Sequence, residues 1–159
     1  MSYYGLTFET GVDRAPEPVA IVPVDPDDGS APRRAVEMLR AGGLIVFPTE
    51  EGYLVGCNAL DARAVGRLCQ VTGATADSLV YLAATPEHDA WLSGPARRPQ
   101  HPVPLALMRA AGVPMVATTV PPGGRPLPSA QHAVFALGDA VDLVLNAGRI
   151  NPRPATDGR

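Results

Sequence analysis

Apolar and polar positions along this chain fall into short blocks whose period switches repeatedly between strand-like and helix-like. Val19–Val24 reads as a short strand, followed by a turn cluster over Asp25–Ser30. Ser30 is the expected N-cap of a helix over Ala31–Arg40, with Val36 and Leu39 on one face and Met38 flanking them. Gly42-Gly43 stops that helix. Leu44–Phe47 is continuously apolar, as in a strand buried on both faces, and it runs into Pro48-Thr49-Glu50-Glu51. The chain is then expected to turn through Gly52, Tyr53 and Gly56.

Asp61 is placed to cap a second helix, Ala62–Val71, with Val65, Leu68 and Cys69 inward. Leu79–Ala83 predicts a strand and Pro86–Leu92 a short helix, with a loop over Ser93–Pro102. Pro104 lies near the start of a helix, Leu105–Ala111, that ends at Gly112. Met115–Thr118 predicts a strand, and Val120–Pro128 is too rich in Pro and Gly to be anything but a loop. Ser129 caps a helix that runs to Leu137 and stops at Gly138, and Val141–Leu145 is the last strand. Strands alternate with helices, so the pattern predicts one α/β domain with a twisted, largely buried sheet flanked by helices. Residues 1–18 are expected to form a flexible arm, 19–150 the domain, and 151–159 an irregular tail.

Composition narrows the chemistry. The chain has 159 residues, 46% hydrophobic and 18% charged, which is enough to build one sizeable core. A net charge of −3 supplies no overall field for polyanions, although a local basic patch remains open. All 13 basic residues are arginine. The absence of lysine excludes Schiff-base catalysis and a Walker lysine. Cys57 and Cys69 sit apart in apolar surroundings, as buried free thiols do. The chain has no long apolar span and no basic-then-apolar leader, so a cytoplasmic protein without a membrane partner is expected.

Thr49 stands at the end of a buried strand, where α/β folds present ligand-binding groups, and Tyr53 could close over a ligand there. An ordinary strand exit with a capping threonine accounts for the same residues. Thr118-Thr119 ends another strand ahead of Gly123-Gly124, whose N–H groups could approach an anion, although the loop's prolines remove donors. Arg97-Arg98 offers a fork for carboxylate or phosphate, or a solvated surface pair. His88, His101 and His132 share no metal-like spacing and read as packing or surface residues. Glu50-Glu51 reads as solvated rather than as a Mg²⁺ ligand pair, and no metal site is expected.

Three collinear blocks resemble the YrdC/Sua5 family of threonylcarbamoyl-adenylate synthases. AVEMLRAGGLIVFPTEEGYLVGCNALDARAVGRL is similar to the family's helix, Gly-Gly, strand and PTET-x-YGL-G opening. RRPQHPVPLALMRAAGVPMVATT resembles its R-x-P-x-H-P segment and the approach to TSAN, and SAQHAVFALGDAVDLVLNAG its final helix and strand. The resemblance implies an α/β fold with an open cavity. It also implies a reaction that joins L-threonine, bicarbonate and ATP with release of pyrophosphate for tRNA modification, driven by positioning and charge stabilisation. Carried over residue by residue, the substrate-binding positions are Thr49, Tyr53, Arg97, Thr118 and Thr119.

The chain also departs from the family pattern. Thr72-Gly73-Ala74 stands where the family has Lys-x-Arg, Pro121 replaces the Asn of TSAN, and Glu51 replaces the second Thr of PTET. Leu54 replaces a Gly, Asn146 an Asp, and Ala155-Thr156 a Ser-Thr pair. Between Leu82 and Arg97 an internal deletion leaves only a remnant, Trp91–Pro95, of a longer segment. The expectation is a divergent, catalytically impaired relative that keeps part of a cavity for a nucleotide, a small anion or RNA. The alternative is an active synthase. No tightly bound cofactor is expected, and ATP with Mg²⁺ would be used only if synthase activity survives.

Overall fold

The computed structural model describes residues 19–25, 27, 30–92 and 94–150. The expected arm over 1–18, the expected tail and Ala155-Thr156 lie outside the described residues. Six strands form one sheet: β1 Ala20–Pro23, β2 Ile45–Thr49, β3 Gly52–Asn58, β4 Val80–Leu82, β5 Met115–Thr118 and β6 Leu143–Asn146. Their order is β1-β6-β2-β3-β5-β4. β1, β6 and β2 run parallel, whereas β3, β5 and β4 join as antiparallel neighbours. The sheet is therefore mixed.

Among the described residues, five α-helices cover it: α1 Arg33–Arg40, α2 Ala62–Thr72, α3 Pro86–Trp91, α4 Pro102–Ala111 and α5 Ala130–Leu137. Side chains alternate across the pleat, so each strand feeds two cores. Ile45, Phe47, Met115 and Leu143 pack with Leu39 of α1 and Leu107 of α4. Val46, Val55, Val116 and Val144 pack on the other face with Leu68 of α2 and Ala133 of α5. The result is an α/β sandwich with one mixed sheet between helical layers.

Local signals placed several ends correctly. The Asp61 carboxylate accepts from the Arg63 and Ala64 N–H groups, and Ser129 Oγ from the His132 N–H. Gly112 closes α4 in the left-handed conformation at φ 75°. Other expectations are corrected. α1 starts at Arg33 with Pro32 as its N-cap and no side-chain cap bond, so Ser30 does not cap it. Proline at that position suits a helix entrance, since its extended ψ of 137° turns the chain in. α4 starts at Pro102, two residues before Pro104, with the His101 side chain as its cap.

The largest correction concerns Gly52–Asn58. This stretch is a strand, not a turn: β3 pairs with β2 from Thr49↔Gly52 to Ile45↔Gly56 in a tight hairpin around Glu50-Glu51. Tyr53, Val55 and Cys57 alternate inward, which is a strand period that the three glycines Gly52, Gly56 and, upstream, Gly43 obscure. Gly52 has φ 134°, and a Cβ there would stand 2.8 Å from the Leu127 carbonyl, so the hairpin exit needs glycine.

Candidate functional site

The hairpin decides what Thr49 can do. Its Oγ1 donates to the Gly52 carbonyl at 2.7 Å and accepts from the Glu51 N–H at 3.1 Å. Thr49 is buried, and both bonds close the turn. Tyr53 is 1% exposed and points into the α2/α5 core. Its hydroxyl donates to the Gly148 carbonyl at 2.6 Å and accepts from the Ala147 N–H at 2.9 Å. Burial raises its pKa, opposed by the Ala147 N–H. Tyr53 is thus a strut between β3 and the loop after β6 rather than a lid over a ligand. Its backbone also pairs with Leu127, which brings the end of the Val120–Pro128 loop beside β3.

Thr118 and Thr119 are likewise engaged. Thr118 Oγ1 lies 3.3 Å from both the Ser78 and the Thr119 carbonyls, sharing one proton between them. Thr119 Oγ1 donates to the Pro121 carbonyl at 2.8 Å and accepts from the Gly124 N–H at 3.1 Å. The Gly124 N–H is therefore turned inward on the Thr119 hydroxyl and the Pro121 carbonyl rather than offered to an anion.

Arg97 behaves differently. Its N–H donates to the Tyr81 carbonyl at 2.8 Å, and its carbonyl accepts from the Ala83 N–H at 2.9 Å, adding a one-residue bridge beyond the edge strand β4. The guanidinium is exposed and has no hydrogen-bond or ion-pair partner among the described residues. Arg98, by contrast, is tied to Asp89 at 2.7 Å. A cavity of about 390 Å³ opens here, between residues 79–81 and 94–97. Thr118 is buried in β5 and does not line it. The fold thus leaves Arg97 alone at the β4 edge, while Thr118, paired with Val55 of β3, lies nearer the hairpin that carries Thr49 and Tyr53.

Three features were missed in the sequence. Tyr81 lines the cavity, and its only sequence signal was a place in a short apolar strand. Glu50 is not simply solvated: its Oε1 accepts from the Gln100 and His101 N–H groups at 3.2 Å each, holding the hairpin against the start of α4. Asp142 binds Arg67 through both oxygens, at 2.8 and 3.2 Å, and accepts from the Leu44 N–H. Burial pushes its carboxyl up, but Arg67 and that N–H outweigh it and hold the pKa below the usual range.

The stretch Thr72-Gly73-Ala74 forms a closed helix stop. α2 ends with Thr72 Oγ1 donating to the Leu68 carbonyl and accepting from the Ala74 N–H, Gly73 in the left-handed region, and Ala74 buried. Cys57 is a buried free thiol, pushed up to about 12 by burial with help from Asp61 and Cys69, and is unfit as a nucleophile. Cys69 is free and half-buried. Among the described residues, no group of three or more His, Cys, Asp or Glu side chains could hold a metal ion. None of their helices is long and apolar enough to cross a membrane.

The two buried histidines carry a pH prediction. His88 Nδ1 accepts from the Ala84 N–H and His101 Nδ1 from the Val103 N–H, both at 3.1 Å, so each is held with Nδ1 unprotonated. Burial lowers both pKa values, opposed by Glu87 and Asp89 at His88 and by Glu50 at His101. Groups with depressed pKa values stabilise fully above the unfolded value, about 6.5, and lose that contribution as pH falls through the folded value. The melting temperature should fall from pH 7 to pH 5. A His88→Asn, His101→Asn double variant, whose amides can accept the same N–H groups, should flatten that slope. An unchanged slope would remove the histidines from the account.

A six-stranded mixed sheet between helical layers, with a cavity at one edge, defines the class as a single α/β domain. The Sua5/YciO/YrdC family model, described as telomere recombination, matches residues 37–89 and 95–156, and the chain belongs to that family. The match breaks inside the stretch that the sequence comparison marks as short. YciO of Escherichia coli (strain K12) is 27% identical over 165 residues, covering 77% of this chain and 80% of that protein. Its crystal structure superposes with a TM-score of 0.70 at 22% identity, over 86% of this chain and 87% of the other. A threonylcarbamoyl-AMP synthase of Bacillus subtilis (strain 168) is 25% identical over 72% of this chain and 45% of its own length. Sua5 of P. abyssi, solved in complex with L-threonine, gives a TM-score of 0.70 at 21% identity over 83% of this chain. The chain spans only about half, 51%, of that Sua5.

Proposed function

We propose that this chain is a binding member of the family, impaired as a threonylcarbamoyl-AMP synthase, that holds a small anion or nucleotide in a reduced cavity. The observation that carries this reading is the end of α2. There Thr72, Gly73 and Ala74 complete a helix stop with no cation, at the place where the resemblance puts Lys-x-Arg. A triphosphate reaction needs positive charge to gather phosphates and to offset charge at the α-phosphorus. Two lost charged interactions, each worth about 1.5–3 kcal/mol, mean on the order of a hundredfold or more in rate. Further support comes from the hydroxyls of Thr49, Tyr53, Thr118 and Thr119, all occupied within the fold. RNA is the weaker choice of partner, because the net charge is −3.

The test is pyrophosphate release from ATP with Mg²⁺, L-threonine and bicarbonate. Turnover at least about a hundredfold below that of the B. subtilis synthase is expected. Comparable rates would overturn the reading and establish the synthase instead. A salt titration with duplex RNA, showing no binding at low salt, would exclude the RNA alternative.

A further inference from the structure

We infer that the cavity at the β4 edge is a site for a small monocarboxylate with an apolar or aromatic body, rather than for a nucleoside triphosphate. The inference rests on the reading of this chain as a binding member of its family, and it names the ligand class and the place.

The volume, about 390 Å³, lies at the small end of the range for ligand pockets, about 300–1,000 Å³. Leu79, Val80, Pro95 and Ala96 line the cavity with hydrocarbon side chains. Tyr81 adds a half-buried ring face, and its hydroxyl has no partner among the described residues. A flat apolar ligand would gain both burial and ring contact there.

The cavity carries one cation. Arg97 lines it with a guanidinium that no described residue engages. Its backbone is held by hydrogen bonds to Tyr81 of β4 and to Ala83, which fixes where the exposed side chain starts. Arg98 next to it is taken by Asp89. One planar fork without a second cation matches one carboxylate and not three phosphates. The site owes its shape to residues 94–97 returning directly to β4, which is where this chain is shortened.

The experiment is an amide NMR titration of the full chain with phenylacetate and, separately, with ATP. Phenylacetate is expected to shift the amides of residues 79–81 and 94, 96 and 97. Arg97→Gln should weaken it at least tenfold, and Ala96→Phe, which fills the cavity and keeps the charge, should abolish it. The spectrum of each variant reports its own folding. No shift at these amides with phenylacetate, or tighter binding of ATP at the same amides, would overturn the inference. If phenylacetate fails while ATP shifts amides elsewhere, only the ligand class is lost and the binding reading stands. Pyrophosphate turnover would sink that broader reading independently.

Discussion

Gly56→Ala should destabilise this protein by about 3 kcal/mol, near the upper end of what overpacking a core costs. Gly56 lies in the middle of β3, paired with Ile45 on one side and Ala117 on the other. A Cβ at this position would stand 2.6 Å from the Val116 carbonyl oxygen, 3.0 Å from the Phe47 ring and 3.1 Å from the Ala117 Cβ. The first of these neighbours is sheet backbone and cannot swing aside without breaking the ladder between β3 and β5. Phe47 is fully buried, so its ring has nowhere to move. With a total stability of about 5–15 kcal/mol, such a loss removes a large share of the folded state. At a urea slope of about 2 kcal/mol per M, the unfolding midpoint should fall by about 1.5 M. A shift within experimental error would mean that the sheet relaxes around the methyl group.

Tyr53→Phe should cost about 2–3 kcal/mol, because one hydroxyl satisfies two backbone groups at once. The phenol donates to Gly148 and accepts from Ala147, and its ring is buried. Phenylalanine keeps the ring packing and leaves that N–H and carbonyl without their partner. The same substitution separates two roles for this residue. A strut loses stability but leaves phenylacetate affinity at the β4 edge unchanged. A ligand-contacting tyrosine would lose affinity with little change in the denaturation midpoint. Urea unfolding and the NMR titration, run on the same sample, distinguish the two.

Sequence and structure agree best where a signal is local. β5 has the predicted bounds, Met115–Thr118. The caps at Asp61 and Ser129 act within three residues of themselves, so composition and spacing suffice to find them. The resemblance also rests on local order, since its blocks follow the chain. The sequence failed at Gly52–Asn58, where glycines that signal a turn serve instead to let strands approach. It failed again at Glu50, whose partners lie 50 and 51 residues away.

The sequence by itself therefore determined the α/β class, the family and most element positions. Each of these depends on residue type and short spacing, and both are written along the chain. Only the tertiary structure decided the mixed strand order, the fate of the hydroxyls and the place of the cavity. Tyr53 meets Gly148 across 95 positions of sequence, and Thr118 meets Ser78 across 40. No local preference encodes such meetings. They follow from a sheet that must bury both faces at once, and that sheet leaves at its edge the guanidinium of Arg97, which no described residue engages.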